Sequence, residues 1–304
     1  MNKFFLIIAL LSILPIHAAD EFKINLRKAQ QGDAAAQYNV GLMYEKGQGV
    51  LQNATLAAEW YTKSAKQGLA YAQYNLGVLY EKGRGVAQDY AQAAEWYAKA
   101  AEQGDEQAQY NIGILYANGR GVTQDYSKAA EYYAQAAQKG LACAQYSLGV
   151  LYANGQGVMQ NYNLAVTWYT KAAEQNDANA QYNLAYMYIN GQGTQQDDTQ
   201  ALIWYTKAAE QGNTNAQYNL GWMFEHGRGT IQDYAQAAEW YSKAARKGHS
   251  EARYKIGWMY EEGIGVEQNY SRAMWWYKKA ITSGYKDAQK FYDKLAAEGY
   301  QPEK

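Results

Sequence analysis

Residues 72–104 read AQYNLGVLYEKGRGVAQDYAQAAEWYAKAAEQG, and the stretch returns along the chain every 36 residues. The residue that closes it marks the count: Gly32, Gly68, Gly104, Gly140, Asn176, Gly212, Gly248 and Gly284. No insertion or deletion disturbs the spacing, so seven complete units occupy residues 33–284. A fixed period of this length marks stacked repeats, in which a unit too small to bury its own apolar face buries it against its neighbours.

Each unit reads as two helices joined by a glycine turn. Ala72, Leu76, Leu79 and Tyr80 fall at i, i+4, i+7 and i+8, one face of an α-helix. Gly77 interrupts that face at a cost of about 1 kcal/mol against alanine. It recurs in six units, with Ala185 in the fifth, which predicts close approach of a neighbouring helix. The helix stops at Gly83-Arg84-Gly85, and every unit carries Gly-x-Gly here. Glycine past a helix end accepts the left-handed conformation that satisfies the last carbonyls. A phosphate-binding loop would need a preceding strand and a third glycine, and the pattern has neither. The second helix opens at Asp89, an N-cap residue, with Gln92 three residues on in a capping-box pattern. Its equivalents are Asn53, Asp125, Asn161, Asp197, Asp233 and Asn269. The apolar face that follows, Ala93, Trp96, Tyr97, Ala100 and Ala101, sets small alanines beside large aromatics so that antiparallel helices can interlock.

These residues resemble the Sel-one-like repeat (SLR) family, relatives of the tetratricopeptide repeats. The family pattern is met by Ala72, Leu76-Gly77, Tyr80, Gly83-Arg84-Gly85-Val86, Asp89, Ala93, Trp96-Tyr97, Ala100-Ala101 and Gly104, seven times over residues 33–284. The expected fold is all-α: an α-solenoid (right-handed superhelix) of seven 36-residue helix–turn–helix repeats with half-repeat caps. The resemblance implies scaffolding and protein–protein interaction, often in secreted or periplasmic bacterial proteins.

Residues 1–19 read as a secretory signal, with Lys3 as the basic start, Phe4–Leu14 as the apolar core and cleavage after Ala18 or Ala19. The apolar run is short for a membrane span, so no stable membrane insertion is expected after cleavage. Loss of Lys3 would take the net charge from −1 to −2. That balance argues against nucleic acid as a partner. Residues 20–32 echo a second helix and read as an N-terminal cap, with Phe22 and Ile24 covering the first unit. Residues 285–304 begin an eighth first helix and then depart, as a solvent-facing cap does, before a tail at Gln301–Lys304 that is expected to fray. The two prolines, Pro15 and Pro302, lie outside the repeats, as uninterrupted helices require.

Opposite the core face, each first helix carries ladders that should line a concave groove. Tyr38, Tyr74, Tyr110, Tyr146, Tyr182, Tyr218 and Tyr254 form an unbroken one. Asn39, Asn75, Asn111, Asn183 and Asn219 form a second, interrupted by Ser147 and ended by Lys255. By resemblance to tetratricopeptide repeats, such an asparagine would hydrogen-bond the backbone of an extended peptide. The third ladder changes character: Leu42, Val78, Ile114 and Val150 give way to Tyr186, Trp222 and Trp258. Aliphatic residues there fit ordinary packing between units, whereas three large aromatics in adjacent units are favoured as binding anchors. The expected binding residues are therefore Tyr182, Tyr186, Tyr218, Asn219, Trp222, Tyr254 and Trp258, and the expected partner is a protein or an extended or helical peptide with apolar anchors. Oligomeric state is left open.

Signals for chemistry are sparse. Cys143 is the only cysteine, so an internal disulfide is impossible, and it is expected to be shielded, with an intermolecular link as the alternative. Beyond the signal, His226 and His249 stand in different registers, against a metal site or catalytic pair. No metal or other cofactor is expected. Asn53-Ala54-Thr55 and Asn269-Tyr270-Ser271 match the glycosylation acceptor, yet both asparagines are explained as helix caps. The charged residues read as a mixed solvent face without paired carboxylates. The runner-up to a scaffold is a cell-wall-associated or penicillin-recognising, β-lactamase-like enzyme, since the cysteine-rich branch of the family is associated with that chemistry. That branch carries paired cysteines absent here. Ser283-Gly284-Tyr285-Lys286 fits Ser-x-x-Lys, but it spans a repeat-end turn, and neither Ser-Asp-Asn nor Lys-Thr-Gly occurs. No enzyme is read from the sequence. Incubation with nitrocefin should give no sustained turnover; turnover abolished by Ser283→Ala would establish the enzyme instead.

Overall fold

Ridges of small and aromatic side chains at helical spacing assemble here into stacked helix pairs. The structure, a computed structural model, describes residues 18–303, and every regular element among them is helical. The expected signal, apart from its last residues, lies outside the described residues. Two compact units emerge. The first holds the described residues up to Ala144 together with Gly155–Met159, and the second holds Gln145–Asn154 and everything described from Gln160 onward.

The first unit contains α1 (18–30), α2 (Ala34–Lys46), α3 (Ala54–Lys66), α4 (Ala70–Lys82), α5 (Tyr90–Glu102), α6 (Glu106–Asn118) and α7 (Tyr126–Gln138). The division falls within α8 (Ala142–Asn154). The second unit continues with α9 (Tyr162–Glu174), α10 (Ala178–Asn190), α11 (Asp198–Glu210), α12 (Thr214–His226), α13 (Tyr234–Arg246), α14 (Ser250–Glu262) and α15 (Tyr270–Thr282), and closes with a 3-10 turn at Lys286–Ala288 and α16 (Gln289–Ala297). Within each unit, a first helix packs on the second helix of its own repeat, and that second helix packs on the next first helix. This is an α-solenoid.

The close approach expected at the mid-helix glycines is made by a ring. A Cβ added to Gly77 would stand 2.7 Å from the Tyr97 ring, and the same is true of Gly41 on Tyr61, Gly113 on Tyr133 and Gly149 on Tyr169. Gly221 and Gly257 meet Tyr241 and Tyr277 in the same way, at 2.8 and 2.9 Å. The tyrosine in question is buried in each case. In the fifth repeat, Ala185 and Tyr205 are both fully buried.

The Gly-x-Gly turn has two separate tasks. Its first glycine ends the helix in the left-handed region, as at Gly83 with φ 64°. Its second glycine lies on the start of the preceding repeat's second helix: a Cβ on Gly85 would fall 2.1 Å from the Ala54 carbonyl oxygen. Seven second-helix caps accept backbone N–H groups as expected. The reciprocal half of the capping box is not made. The Asp89 N–H instead donates to the Tyr80 carbonyl at 3.0 Å, and all seven cap residues do the same across their turns.

Both ends differ from expectation in detail. Among the described residues helix α1 runs over 18–30. Phe22 meets Tyr44 edge-on at 5.4 Å, but Ile24 is 58% exposed. At the other end Leu295 is buried against α15. Just before the tail Tyr300 packs on Tyr270 at 4.4 Å, and within it the Glu303 N–H reaches the Ser271 carbonyl at 3.1 Å. Among the described residues no helix is long and apolar enough to cross a membrane.

Gly113→Leu should cost more than about 2 kcal/mol in urea unfolding, because the Tyr133 ring occupies the space a side chain needs. Asn118→Leu should be mild, since Asn118 is exposed and bonds only to the Ile114 carbonyl one turn back. A wild-type transition for Gly113→Leu would remove the packing role.

Candidate partner-binding face

In the second unit the first helices α10, α12 and α14 carry all seven residues expected to bind a partner. Tyr182, Tyr218 and Tyr254 are half-buried, each lying over the buried tyrosine of its own repeat: Tyr205 at 5.7 Å, Tyr241 at 5.5 Å and Tyr277 at 5.9 Å between ring centres. Burial pushes all three phenols up. Tyr218 reaches about 12, with Glu251 and Glu225 adding to the effect. Tyr218 also stacks on His249 at 4.5 Å, and Tyr254 is covered by Tyr285 at 5.0 Å and Phe291 at 5.3 Å. The tyrosine ladder is thus largely committed to packing.

The asparagine ladder joins repeats. Asn219 serves the phenols of both Tyr182 and Tyr205 in the preceding repeat, its hydrogen bonding opposing the upward push of burial. Asn183 does the same for Tyr146 and Tyr169. The third ladder is divided. Trp222 and Trp258 are half-buried and shared between successive core clusters. Tyr186 is 46% exposed.

Three of the seven residues converge. Tyr186, Asn219 and Trp222 line a recess of about 260 Å³, completed by Ile189, Asn190, Tyr205 and Arg228. Tyr182, Tyr218, Tyr254 and Trp258 are not brought into it. The Arg228 guanidinium lies 5.7 Å over the Trp222 ring and bonds Asp198 through two nitrogens at 2.5 and 2.9 Å. That pairing holds the Asp198 carboxyl below the usual carboxylate range. Tyr186 also borders a second recess, of about 290 Å³, with Ala153, Tyr169 and Asn183.

Other signals take structural places. Among the described residues no group of His, Cys, Asp and Glu could hold a metal ion. His226 stacks on Trp222 at 4.6 Å, and His249 caps α14. Cys143 is half-buried. The Ser283 hydroxyl donates to the Lys279 carbonyl at 2.8 Å and accepts from Arg253, so its hydrogen bonds lie away from Lys286.

Two sets of residues escaped sequence reasoning. The first is a row of buried glutamines. Gln73 donates to the Ala65 carbonyl at 3.2 Å and accepts from Gln103 at 2.7 Å, as Gln181 does with Ala173 and Gln211. The signal was there in the Gln that precedes the ladder tyrosine in the first six repeats, with Arg253 in the seventh. The second set corrects the reading of the carboxylates as solvent-facing. Glu225 and Glu261 are 8% and 4% exposed. Glu225 accepts from Tyr241 at 2.5 Å and from Lys255 at 2.9 Å, and Glu261 accepts from Tyr277 at 2.6 Å and Lys294 at 2.9 Å.

With the geometry in place, the relatives can be identified. The Sel1 repeat profile matches residues 34–69, 70–105, 106–141, 144–177, 178–213, 214–249 and 250–285. The chain belongs to the Sel1-repeat family and is a repeat scaffold of the kind compatible with protein–protein interaction. Among solved structures, a protective antigen of uropathogenic Escherichia coli strains with an SLR fold is 36% identical, with a TM-score of 0.87 over 92% of this chain. The chain spans 60% of that antigen's length. A Sel1 repeat protein from Oxalobacter formigenes is 33% identical, with a TM-score of 0.75, covering 91% of this chain and 80% of its own. No curated protein matches the chain.

The buried Glu225 depends on its partners. Lys255→Ala should lower stability by about 1–3 kcal/mol in urea unfolding, because it strips a hydrogen-bonded cation from a buried carboxylate. Combining it with Glu225→Gln should cost less than the sum of the two single changes. Strict additivity would show that the pair is not coupled.

Proposed function

We propose that this Sel1-repeat scaffold binds an extended or helical segment of a protein partner along the first-helix face of its second unit, at or beyond the bacterial envelope. The observation that carries the proposal is Tyr186. It is a large aromatic left 46% exposed where the first four repeats have aliphatic residues, and it stands between two recesses. Exposed aromatics beside recesses are the anchors that protein interfaces favour. Trp222 and Asn219 extend the same wall, and the proposed face continues over Tyr182, Tyr218, Tyr254 and Trp258 on the flanking ladders. Export is supported by the basic and apolar character of residues 1–19, and it accords with the description of the uropathogenic relative as a protective antigen. The role needs no cofactor, nucleic acid or catalytic residue.

Pull-down from an envelope extract should return a stoichiometric protein. Trp222→Ala should weaken its capture by at least about 2 kcal/mol, while Val78→Ala leaves capture nearly unchanged. Melting curves on both variants serve as the check that they remain folded. Equal capture by the two folded variants would place the groove elsewhere. Release of muropeptides without any protein partner would favour the cell-wall enzyme instead.

A further inference from the structure

Four repeats share one hydrogen bond. The phenol of the core tyrosine donates to a glutamate sixteen residues earlier: Tyr61 to Glu45 at 2.7 Å, Tyr97 to Glu81 at 2.6 Å, Tyr241 to Glu225 at 2.5 Å and Tyr277 to Glu261 at 2.6 Å. A phenol-to-carboxylate bond this short is charge-assisted and about twice as strong as a neutral one. The three middle repeats carry Ala117, Ala153 and Ile189 at the glutamate's place.

In the second unit this substitution leaves two sites of the same make. Burial pushes the Tyr169 phenol up to about 12 and raises that of Tyr205, yet no carboxylate contributes to either, unlike the four glutamate-bound tyrosines. Each of these tyrosines lines a recess together with the residue that takes the glutamate's place. Tyr169 does so beside Ala153 and Asn183, and Tyr205 beside Ile189 and Asn219. None of the residues lining either recess is acidic, and the second is also lined by Arg228, whose guanidinium is paired with Asp198. A buried anion is tolerated only where donors meet it, and the donor on offer in each recess is the kind of phenol that gives its O–H to a glutamate in the outer repeats.

We propose that these two recesses are carboxylate pockets, each accepting a glutamate or aspartate side chain of the bound segment in the place that the chain's own glutamate fills in the outer repeats. The proposal rests on the peptide-binding role above and specifies its chemistry: acidic side chains enter beside Tyr169 and Tyr205, and apolar ones lie on Tyr186 and Trp222.

Fluorescence anisotropy with labelled dodecapeptides tests it. The peptides have a serine–leucine host carrying two glutamates separated by two, three or four residues, and each has a glutamine counterpart. At least one glutamate peptide should bind tenfold or more tightly than its counterpart. Tyr169→Phe with Tyr205→Phe should erase that preference without altering the protein's charge, which separates pocket recognition from general electrostatics. Ala153→Glu with Ile189→Glu should erase it as well, by filling both recesses from within, and should leave the melting temperature unchanged or higher. Binding without a glutamate preference, or a preference that survives the phenylalanine pair, overturns the carboxylate pockets and leaves the groove intact. If no peptide binds, NMR of ring-13C tyrosine with sodium glutarate reads the recesses directly. Shifts confined to Tyr169 and Tyr205 would uphold the pockets and count against the peptide groove, and no shift would overturn both.

Discussion

The contact between a bare glycine and a tyrosine ring governs this fold. Without a side chain at Gly77 or its equivalents, the ring of the facing tyrosine settles directly on the first helix, within 3 Å of where a Cβ would be. That contact sets the separation of the two helices in a repeat, and interiors packed at crystal density leave little freedom to alter it. It also fixes where the phenol oxygen emerges: beside the last turn of the first helix and next to the following repeat's asparagine. A packing constraint thus places a polar group at the same spot in repeat after repeat.

What occupies that spot differs. Glu45, Glu81, Glu225 and Glu261 close it with a short hydrogen bond, whereas Ala153 and Ile189 leave it facing a recess. The neighbouring third ladder changes over the same stretch, from Val150 to Tyr186 and Trp222. In a solenoid built of near-identical backbones, individuality comes from such single side chains, and function is sought in the repeats that depart from the pattern. The two departures meet at Tyr186, the residue common to both recesses.

The buried glutamines and the half-buried asparagines hold the stack in register. The Gln73-type amides span from one repeat's closing carbonyl to the next glutamine, and the Asn219-type amides bear on two phenols at once. Buried groups of this kind are retained because an unpaired amide or hydroxyl is costly away from water. They act beside the glycine–tyrosine contact, one by hydrogen bonding and the other by fit.

The sequence by itself determined the helices, their order and their pairing. A 36-residue period with a helical apolar face, Gly-x-Gly stops and Asx caps leaves stacked helix pairs as the arrangement that buries those faces. These signals are local, and seven repetitions make each one clear. The tertiary structure decided which side chains of the outer ladders are spent and which are free. Trp258 has the register of Tyr186, and Tyr254 that of Tyr182, but their exposure depends on the residues that follow them, and Tyr285 and Phe291 cover Tyr254. Likewise, Glu225 looks like any surface glutamate near a helix end until Tyr241 and Lys255, 16 and 30 residues away, are seen to enclose it. Periodicity records which face of a helix a residue occupies. What lies across that face is set by neighbours distant in sequence, and only the packed structure brings them together.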